Sequence, residues 1–176
     1  MIDRKKYVDI FTFPVKDYYE QAGFDFSKED FEVPAMEFIK LYHESLPLAN
    51  LHPCANDVLK YFKSLGLNQF VLSAMEHTSL LKSLKDNGIY NYFEHINGID
   101  NHYAHSKLDI GKDLLQKIGL APEEILMIGD TLHDKDVAEG LGINFVLVAK
   151  GHQSKERLLA ETPLVFDNLL DIKDYF

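Results

Sequence analysis

The sequence predicts an α/β protein with a parallel sheet and an additional helical part at the N-terminus. From residue 51 onward, short apolar runs alternate with amphipathic stretches, which is the order typical of right-handed βαβ units. Before residue 51, apolar residues recur at three- and four-residue spacing and no period-two strand pattern is visible. We therefore expect a helical subdomain over residues 1–50 and an α/β core over residues 51–176.

The helical subdomain is predicted from its apolar spacing and is rich in aromatic residues. The groups with helical spacing are Tyr7, Ile10 and Phe11; Tyr18, Tyr19 and Ala22; and Phe38, Leu41 and Tyr42. Aromatic residues at this spacing usually pack together. A small helical bundle over the rest of the molecule is therefore the simplest interpretation.

In the core, apolar runs and glycines define the elements. We expect strands at residues 69–74, 93–99, 124–129, 145–148 and 164–166. We expect helices at residues 56–65, 78–87, 108–118, 134–141 and 154–160. Glycines follow most of these helices, as is common where a helix ends. Residues 125–128 are continuously apolar, which predicts a strand buried on both faces.

Composition limits the possible partners and the location. The formal net charge is −10, and a nucleic-acid partner would require clustered lysine and arginine instead. No apolar run approaches the ~20 residues needed to cross a bilayer, and no signal-peptide pattern follows Met1. The single cysteine, Cys54, cannot form an intramolecular disulfide. We therefore expect a cytoplasmic protein, monomeric or homodimeric, that binds neither nucleic acid nor membrane.

The strongest chemical signal is a pair of carboxylates after the strand at residues 124–129. Gly129 is expected to allow a sharp turn, and Asp130 and Asp134 then follow at the carboxyl end of the strand. Open α/β sheets bind ligands at that end, and two carboxylates there are typical of a Mg²⁺ site. Helix capping by Thr131 or Asp134 is the alternative, but capping does not explain Asp130.

Two other strand ends carry polar residues suited to binding phosphate. Ser73 and Ala74 end the strand at residues 69–74, where a hydroxyl and following amides can hold a phosphate oxygen. Lys107 directly precedes the helix predicted at residues 108–118, and a cation at a helix N-terminus opposes the helix dipole, so its presence there suggests a function. A serine that merely ends a strand and a solvated lysine are the alternatives.

Taken in order, these residues resemble the motifs of the haloacid dehalogenase-like hydrolase superfamily. The second, third and fourth motifs of that family correspond here to Val71-Leu72-Ser73, Ser106-Lys107-Leu108 and Gly129-Asp130-Thr131-Leu132-His133-Asp134. The resemblance covers nearly the whole chain and is closest to the phosphoglycolate phosphatase-like branch. It implies a Rossmann-like core with a helical cap formed by residues 1–50.

The resemblance also implies a mechanism. A family member forms an aspartyl-phosphate on a nucleophilic aspartate, with Mg²⁺ bound by Asp130 and with Asp134 orienting either the metal's water ligands or Lys107. Lys107 and Ser73 would act on the phosphoryl group as catalytic and phosphate-binding residues, together with Ala74. The expected partner is a small phosphorylated metabolite. The cap aromatic residues, including Phe11, Phe13, Tyr18 and Tyr19, are expected to pack, with substrate contact as the alternative.

One family motif is absent from this sequence. The family's nucleophile lies in an Asp-x-Asp-x-Thr motif on a central strand, between the strands that carry Ser73 and Asp130, and no such motif occurs here. We expect ~25–40 further residues before Met1 to supply it on one strand of ~5–6 residues. Donation of the strand by another chain is the less favoured alternative. Without that strand, two halves of the sheet would expose unpaired edges.

Other functions remain open from the sequence. A phosphomutase or a dehalogenase of the same family, a truncated or non-catalytic module that binds phosphate and metal, and a phospho-receiver domain are the alternatives. Histidines suggest a metal site only weakly, since His102 and His105 lack a second pair of ligands. His133 could face either a phosphate or solvent.

Overall fold

The computed structural model describes residues 2–99 and 106–175 and has the α/β fold that the sequence predicts. The strands are β1 (Phe70–Glu76), β2 (His95–Ile99), β3 (Leu126–Gly129), β4 (Asn144–Val148) and β5 (Val165–Phe166). The helices are α1 (Arg4–Ile10), α2 (Val15–Ala22), α3 (Glu32–Ser45), α4 (Ala55–Ser64), α5 (His77–Asp86), α6 (Lys107–Ile118), α7 (Leu132–Leu141) and α8 (Lys155–Glu161). Short 3₁₀ segments occupy Leu46–Leu48, Tyr90–Tyr92, Pro122–Glu124 and Leu169–Tyr175.

The strands form two separate parallel sheets. β1 pairs with β2, with Phe70 opposite His95, while β3, β4 and β5 form a second sheet in that order. In the part of the chain that the structure describes, β1 and β3 do not pair with each other. The expectation of two sheet halves, one carrying Ser73 and the other carrying Asp130, is therefore confirmed.

Helix α4 packs against both halves. Its buried residues Val58 and Phe62 belong to one apolar cluster with β4 and the C-terminal 3₁₀ segment. Leu59, on the same helix, packs against a second cluster that contains Leu80 and Leu84 of α5. Burial of each large apolar side chain contributes about 1.5–3 kcal/mol, so α4 holds the two halves together. Among the described residues, no strand of one sheet pairs with a strand of the other.

Helices α6 and α7 also join the halves. A Cβ atom on Gly111 of α6 would lie 2.7 Å from the Leu141 side chain of α7 and 3.2 Å from the Leu72 side chain of β1. The absence of a side chain at this position lets α6 approach both elements. Lys107 and Asp134, the site residues at the starts of α6 and α7, are brought together by this packing.

The prediction that residues 125–128 form a strand buried on both faces is wrong. β3 residues are only partly buried, and Ile128 is 36% exposed. The cause is the division of the sheet, which makes β3 an edge strand instead of a central one. β4, which has a neighbour on each side, contains the fully buried Val146 and Leu147.

The N-terminal helices contact the core through α1. The backbone N–H of Ser154 donates to the Val8 carbonyl at 3.2 Å, and Arg157 donates to the Phe11 carbonyl at 2.7 Å. Tyr19 of α2 is buried within an aromatic cluster that includes Phe24 and Phe31, which supports the packing interpretation for that residue. Within the described ranges, every helix is too short or too polar to span a lipid bilayer.

Candidate active site

The site begins where β3 ends, and Gly129 is required there for space. A Cβ atom on Gly129 would lie 2.3 Å from Cβ of Asp134, which is too close for any side chain at position 129. Gly129 is not among the residues with positive φ, so its role differs from the sharp turn that the sequence suggested. The missing side chain lets the first turn of α7 fold back against the end of β3.

Asp134 has both carboxylate oxygens engaged. Oδ2 accepts hydrogen bonds from the backbone N–H of Asp130 at 3.0 Å, the backbone N–H of Thr131 at 3.0 Å and the Thr131 hydroxyl at 2.8 Å. Thr131 Oγ1 in turn accepts from the backbone N–H of Asp134 at 3.2 Å, which completes a capping box. This part of Asp134 therefore fixes the turn between β3 and α7.

The other oxygen of Asp134 forms a buried ion pair. Lys107 Nζ donates to Oδ1 at 2.5 Å, and the two side chains are 13% and 8% exposed. Burial alone would raise the pKa of Asp134, but the charge of Lys107 and the hydrogen bonds from Lys107, Thr131 and the Asp130 amide outweigh it and lower the pKa. Asp134 is therefore ionised at neutral pH. Its negative charge offsets the unfavourable position of the Lys107 cation at the N-terminus of α6.

Asp130 is held differently, by one oxygen only. The backbone N–H of His152 donates to Oδ2 at 2.7 Å. Gly151 makes this approach possible, because a Cβ there would lie 1.8 Å from the same oxygen. From residues 2–99 and 106–175, Oδ1 of Asp130 receives no hydrogen bond. The residue is half-buried, and this oxygen is therefore available to a ligand at the carboxyl end of β3.

Ser73 lies at an irregularity in the smaller sheet. The pairing of β1 with β2 shifts register between Leu72 and Glu76, although the strand itself continues to Glu76. Ser73 Oγ accepts from the backbone N–H of Met75 at 3.1 Å, and Ala74 is exposed. Across the described residues, neither Lys107 nor Asp130 donates to Ser73 or accepts from it. The structure brings Lys107, Asp130 and Asp134 into one network and leaves Ser73 outside it.

Glu76 closes the same strand and fixes the next helix. Its carboxylate accepts from the backbone N–H groups of Thr78 at 2.8 Å and Ser79 at 2.7 Å, which caps α5. Those hydrogen bonds lower the pKa of Glu76 to about 2. Glu76 therefore has a structural role beside Ser73.

The sequence interpretation missed the turn that follows β4. Gly151 and His152 contact Asp130, and Gln153 accepts from the backbone N–H of Leu132 at 2.7 Å. A signal for this turn exists in the sequence, because polar residues follow an apolar strand there as they do after the other strands. Applying the strand-end argument to residues 145–148 would have identified it.

The histidines do not form a metal cluster in the described ranges. His133 packs against Phe13 with ring centroids 4.7 Å apart, and His77 Nδ1 lies 3.3 Å from the backbone nitrogen of Gly98. His102 and His105 lie outside the described residues. Among the residues that are described, no three histidine, cysteine, aspartate or glutamate side chains are grouped as metal ligands.

Comparison with known proteins identifies a family and a fold. Residues 1–148 match the family model described as haloacid dehalogenase-like hydrolase. The chain is 26% identical over 148 residues to phosphoglycolate phosphatase 1 of Pseudomonas aeruginosa, covering 82% of this chain and 54% of that protein. It is 28% identical over 142 residues to a phosphoglycolate phosphatase of Nitrosococcus oceani, covering 78% and 62% respectively. The chain thus spans about half or somewhat more of the length of these relatives.

A solved structure extends the comparison to the fold. A haloacid dehalogenase-like family hydrolase from Streptococcus pneumoniae superimposes with a TM-score of 0.78 at 23% identity. The superposition covers 93% of this chain and 76% of that protein. At this level of identity the similarity establishes a shared fold.

Proposed function

The chain belongs to the haloacid dehalogenase-like hydrolase family, and we propose that it supplies the metal-binding and phosphate-binding residues of a Mg²⁺-dependent phosphatase. The observation that carries the proposal is the carboxylate of Asp130. One of its oxygens is held by the protein, and the other has no hydrogen bond from the described residues, beside a buried Lys107–Asp134 ion pair. A small phosphomonoester is the proposed substrate.

The donor groups around Asp130 fit Mg²⁺. This ion is usually bound by one or two carboxylates together with waters and substrate phosphate, so a large cluster of protein ligands is not required. Asp130 would bind it through Oδ1, and Asp134 would act on its water ligands or through Lys107. Mg²⁺ would supply charge neutralisation between an anionic nucleophile and the phosphoryl group.

Lys107, Ser73 and Ala74 would bind the phosphoryl group. The ammonium group of Lys107 keeps additional donor capacity beyond its bond to Asp134, since a lysine has three N–H groups. The Ser73 hydroxyl and the backbone at Ala74 are proposed to donate to phosphoryl oxygens from the other sheet. Preorganised donors of this kind are typically worth about 3–4 kcal/mol each in the transition state.

The separation of the two sheets suggests where the nucleophile acts. β1 and β3 are unpaired with each other, and Ile128 of β3 is partly exposed. We propose that a further parallel strand, from a longer chain or a second molecule, lies between them and carries the nucleophilic carboxylate. That carboxylate attacks phosphorus and displaces the alcohol, and water then hydrolyses the aspartyl-phosphate.

We also propose a class of substrate and a role for the N-terminal helices. The relatives named above are phosphoglycolate phosphatases, which supports a small phosphorylated metabolite. Residues 1–50 would form a cap that excludes water and selects the substrate, as a domain separate from residues 51–176. The cytoplasm is the proposed location, consistent with a single exposed cysteine.

Turnover of a panel of small phosphomonoesters, with and without Mg²⁺, tests the function in the natural full-length protein. Asp130→Asn should abolish Mg²⁺-dependent hydrolysis, because it removes the charge proposed to bind the metal. Asp136→Asn is the matched control, since Asp136 is an exposed acid on the same helix as Asp134. Activity that survives Asp130→Asn would remove Asp130 from the mechanism.

The same experiment distinguishes a phosphatase from a non-catalytic binding module. This sequence has no Asp-x-Asp-x-Thr motif, which favours a module that binds phosphate and metal without turnover. Saturable Mg²⁺ binding combined with no hydrolysis of any phosphomonoester would establish that alternative.

A further inference from the structure

The turn after β4 touches Asp130 and helix α1 at the same time. His152 donates its backbone N–H to Asp130 Oδ2 at 2.7 Å, and Gly151 lies directly against the same carboxylate. On the side of α1, Arg4 donates to the carbonyl of Gly151 at 2.6 Å. The two residues that hold Asp130 are therefore themselves held by the N-terminal helical region.

The imidazole ring of His152 is fixed by two aromatic residues. The Tyr7 hydroxyl forms a hydrogen bond with His152 Nδ1. The ring of Phe11 stacks on the imidazole, with centroids 4.8 Å apart and planes 26° from parallel. Because the ring contacts α1 and the backbone N–H contacts Asp130, a change at Tyr7 or Phe11 reaches Asp130 through a single residue.

Gln153 makes a second, parallel connection. Its side chain is buried, donates to the Phe11 carbonyl at 3.0 Å and accepts from the backbone N–H of Leu132 at 2.7 Å. Leu132 is the first residue of α7, directly after Thr131. The end of α1 is therefore tied to the start of the helix that carries Asp134.

The charge state of Tyr7 is suited to this contact. Burial, assisted by Tyr18 and Asp130 and opposed by the charge of Arg4, raises the pKa of Tyr7 to about 12. The side chain is therefore a neutral phenol at neutral pH and can donate its hydrogen bond to His152 Nδ1.

We infer that Tyr7 and His152 are positioning residues that fix the Asp130 carboxylate for metal binding through the turn at residues 151–152. The inference rests on the proposed function, because it assigns a use to the free oxygen of Asp130. Neither residue touches the metal in this account. The N-terminal helical region thereby contributes to the metal site.

Mg²⁺ affinity, measured by titration calorimetry on the full-length protein without substrate, tests the inference. Tyr7→Phe removes only the hydroxyl and should weaken Mg²⁺ binding about threefold to tenfold, the effect of losing one hydrogen bond. Tyr18→Phe is the matched control, because its ring packs edge-on against Tyr7 and its hydroxyl bonds to no described residue. Its Mg²⁺ affinity should equal that of the wild type.

Two further variants separate positioning from loss of structure. His152→Ala keeps the backbone N–H and removes the ring, whereas His152→Pro also removes the N–H that holds Asp130. His152→Pro should weaken Mg²⁺ binding about 10–100-fold, as is typical for groups that orient metal ligands. Adding Tyr7→Phe to His152→Ala should weaken Mg²⁺ binding no further, because the imidazole ring that Tyr7 contacts is already absent. In Tyr7→Phe, saturating Mg²⁺ should restore kcat.

The outcomes distinguish this inference from the function on which it rests. If Asp130→Asn abolishes Mg²⁺ binding but Tyr7→Phe binds as tightly as Tyr18→Phe, the positioning role is wrong and the metal site stands. If the wild type binds no Mg²⁺, both are wrong. If the kcat of Tyr7→Phe stays low at saturating Mg²⁺, the positioning role is also wrong, and Tyr7 has a general structural role instead.

Discussion

The two sheets contribute to the candidate site in different ways. At the end of β3, Asp134 accepts three hydrogen bonds on one oxygen and forms a buried ion pair through the other. At the corresponding part of β1, Ser73 makes one local hydrogen bond and Ala74 is exposed. The chain alone therefore fixes the carboxylate side of the site, whereas the serine side is only partly organised.

This difference follows from where the packing is dense. α6 and α7 close over the carboxylate side, and their first residues compensate each other's charge. No comparable pair spans from the described residues around Ser73 to the second sheet, because β1 and β3 do not pair. Substitutions on the carboxylate side should therefore lower the free energy of unfolding much more than substitutions on the serine side. Substitutions on either side should impair catalysis.

The largest stability loss is expected from Asp134→Ala. The substitution leaves Lys107 buried without its partner and removes the acceptor of three further hydrogen bonds. Breaking one side of a buried pair typically costs about 3–5 kcal/mol. Urea unfolding measures this loss. Asp136→Ala, at an exposed position on the same helix, should stay within about 0.5 kcal/mol of the wild type.

A smaller loss is expected from Gly151→Ala. The new Cβ would overlap Asp130 Oδ2 and force the carboxylate or the turn to move. Overpacking of this kind typically costs about 1–3 kcal/mol. Mg²⁺ affinity should fall as well, since the His152 N–H would no longer be aligned with the carboxylate.

Gly66→Ala is the control for that prediction. Gly66 has a φ of +74°, and no atom lies within 4 Å of the position its Cβ would occupy. The substitution should cost only the backbone strain of about 1 kcal/mol and leave Mg²⁺ affinity unchanged. Equal effects of both substitutions on Mg²⁺ affinity would contradict the proposed contact.

Acid should weaken both sides of the site, because each contains a carboxylate whose pKa is lowered in the folded state. The folded-state pKa of Asp134 is lowered, so its contribution is present above the unfolded value near 4 and is lost as pH falls through the folded value. Glu76 follows the same rule, and its contribution is lost as pH falls toward its folded-state pKa of about 2. Unfolding free energies of wild type and Asp134→Asn should therefore converge below pH ~4. A constant difference down to pH ~2 would contradict the assignment.

The smallest stability effect is expected from Ser73→Ala. The substitution removes one partly buried hydrogen bond to the Met75 amide, worth about 0.5–1.5 kcal/mol. If the hydroxyl donates to a phosphoryl oxygen, kcat should nevertheless fall about 10²–10³-fold. A loss of stability as large as that of Asp134→Ala would show that the two sides do not differ as described.

Local pattern was sufficient to predict much of this fold. Alternating apolar runs and helix-ending glycines indicated the strands and helices, and the motif order indicated the family and the interruption between the sheet halves. Orientation of Lys107 by Asp134 was also one of the two roles expected of Asp134. These features depend on residues close in sequence or on a family pattern, so the sequence contains them directly.

Features that depend on distant contacts were missed or mistaken. The burial of Ile128 was overestimated, because apolarity does not reveal whether a strand has a neighbour on both sides. The need for glycine at position 129 arises from the Asp134 side chain and not from its own φ. The contact between Tyr7 and His152 joins residues 145 positions apart, and no periodicity indicates it.

In the proposed metal site, Asp130 presents one free carboxylate oxygen to a divalent cation, while Asp134 is occupied in holding Lys107. Titration of Mg²⁺ into the full-length wild type and Asp130→Asn, followed calorimetrically, tests it most directly. We expect saturable binding at one site in the wild type and none in Asp130→Asn. Unchanged Mg²⁺ binding after Asp130→Asn would contradict it.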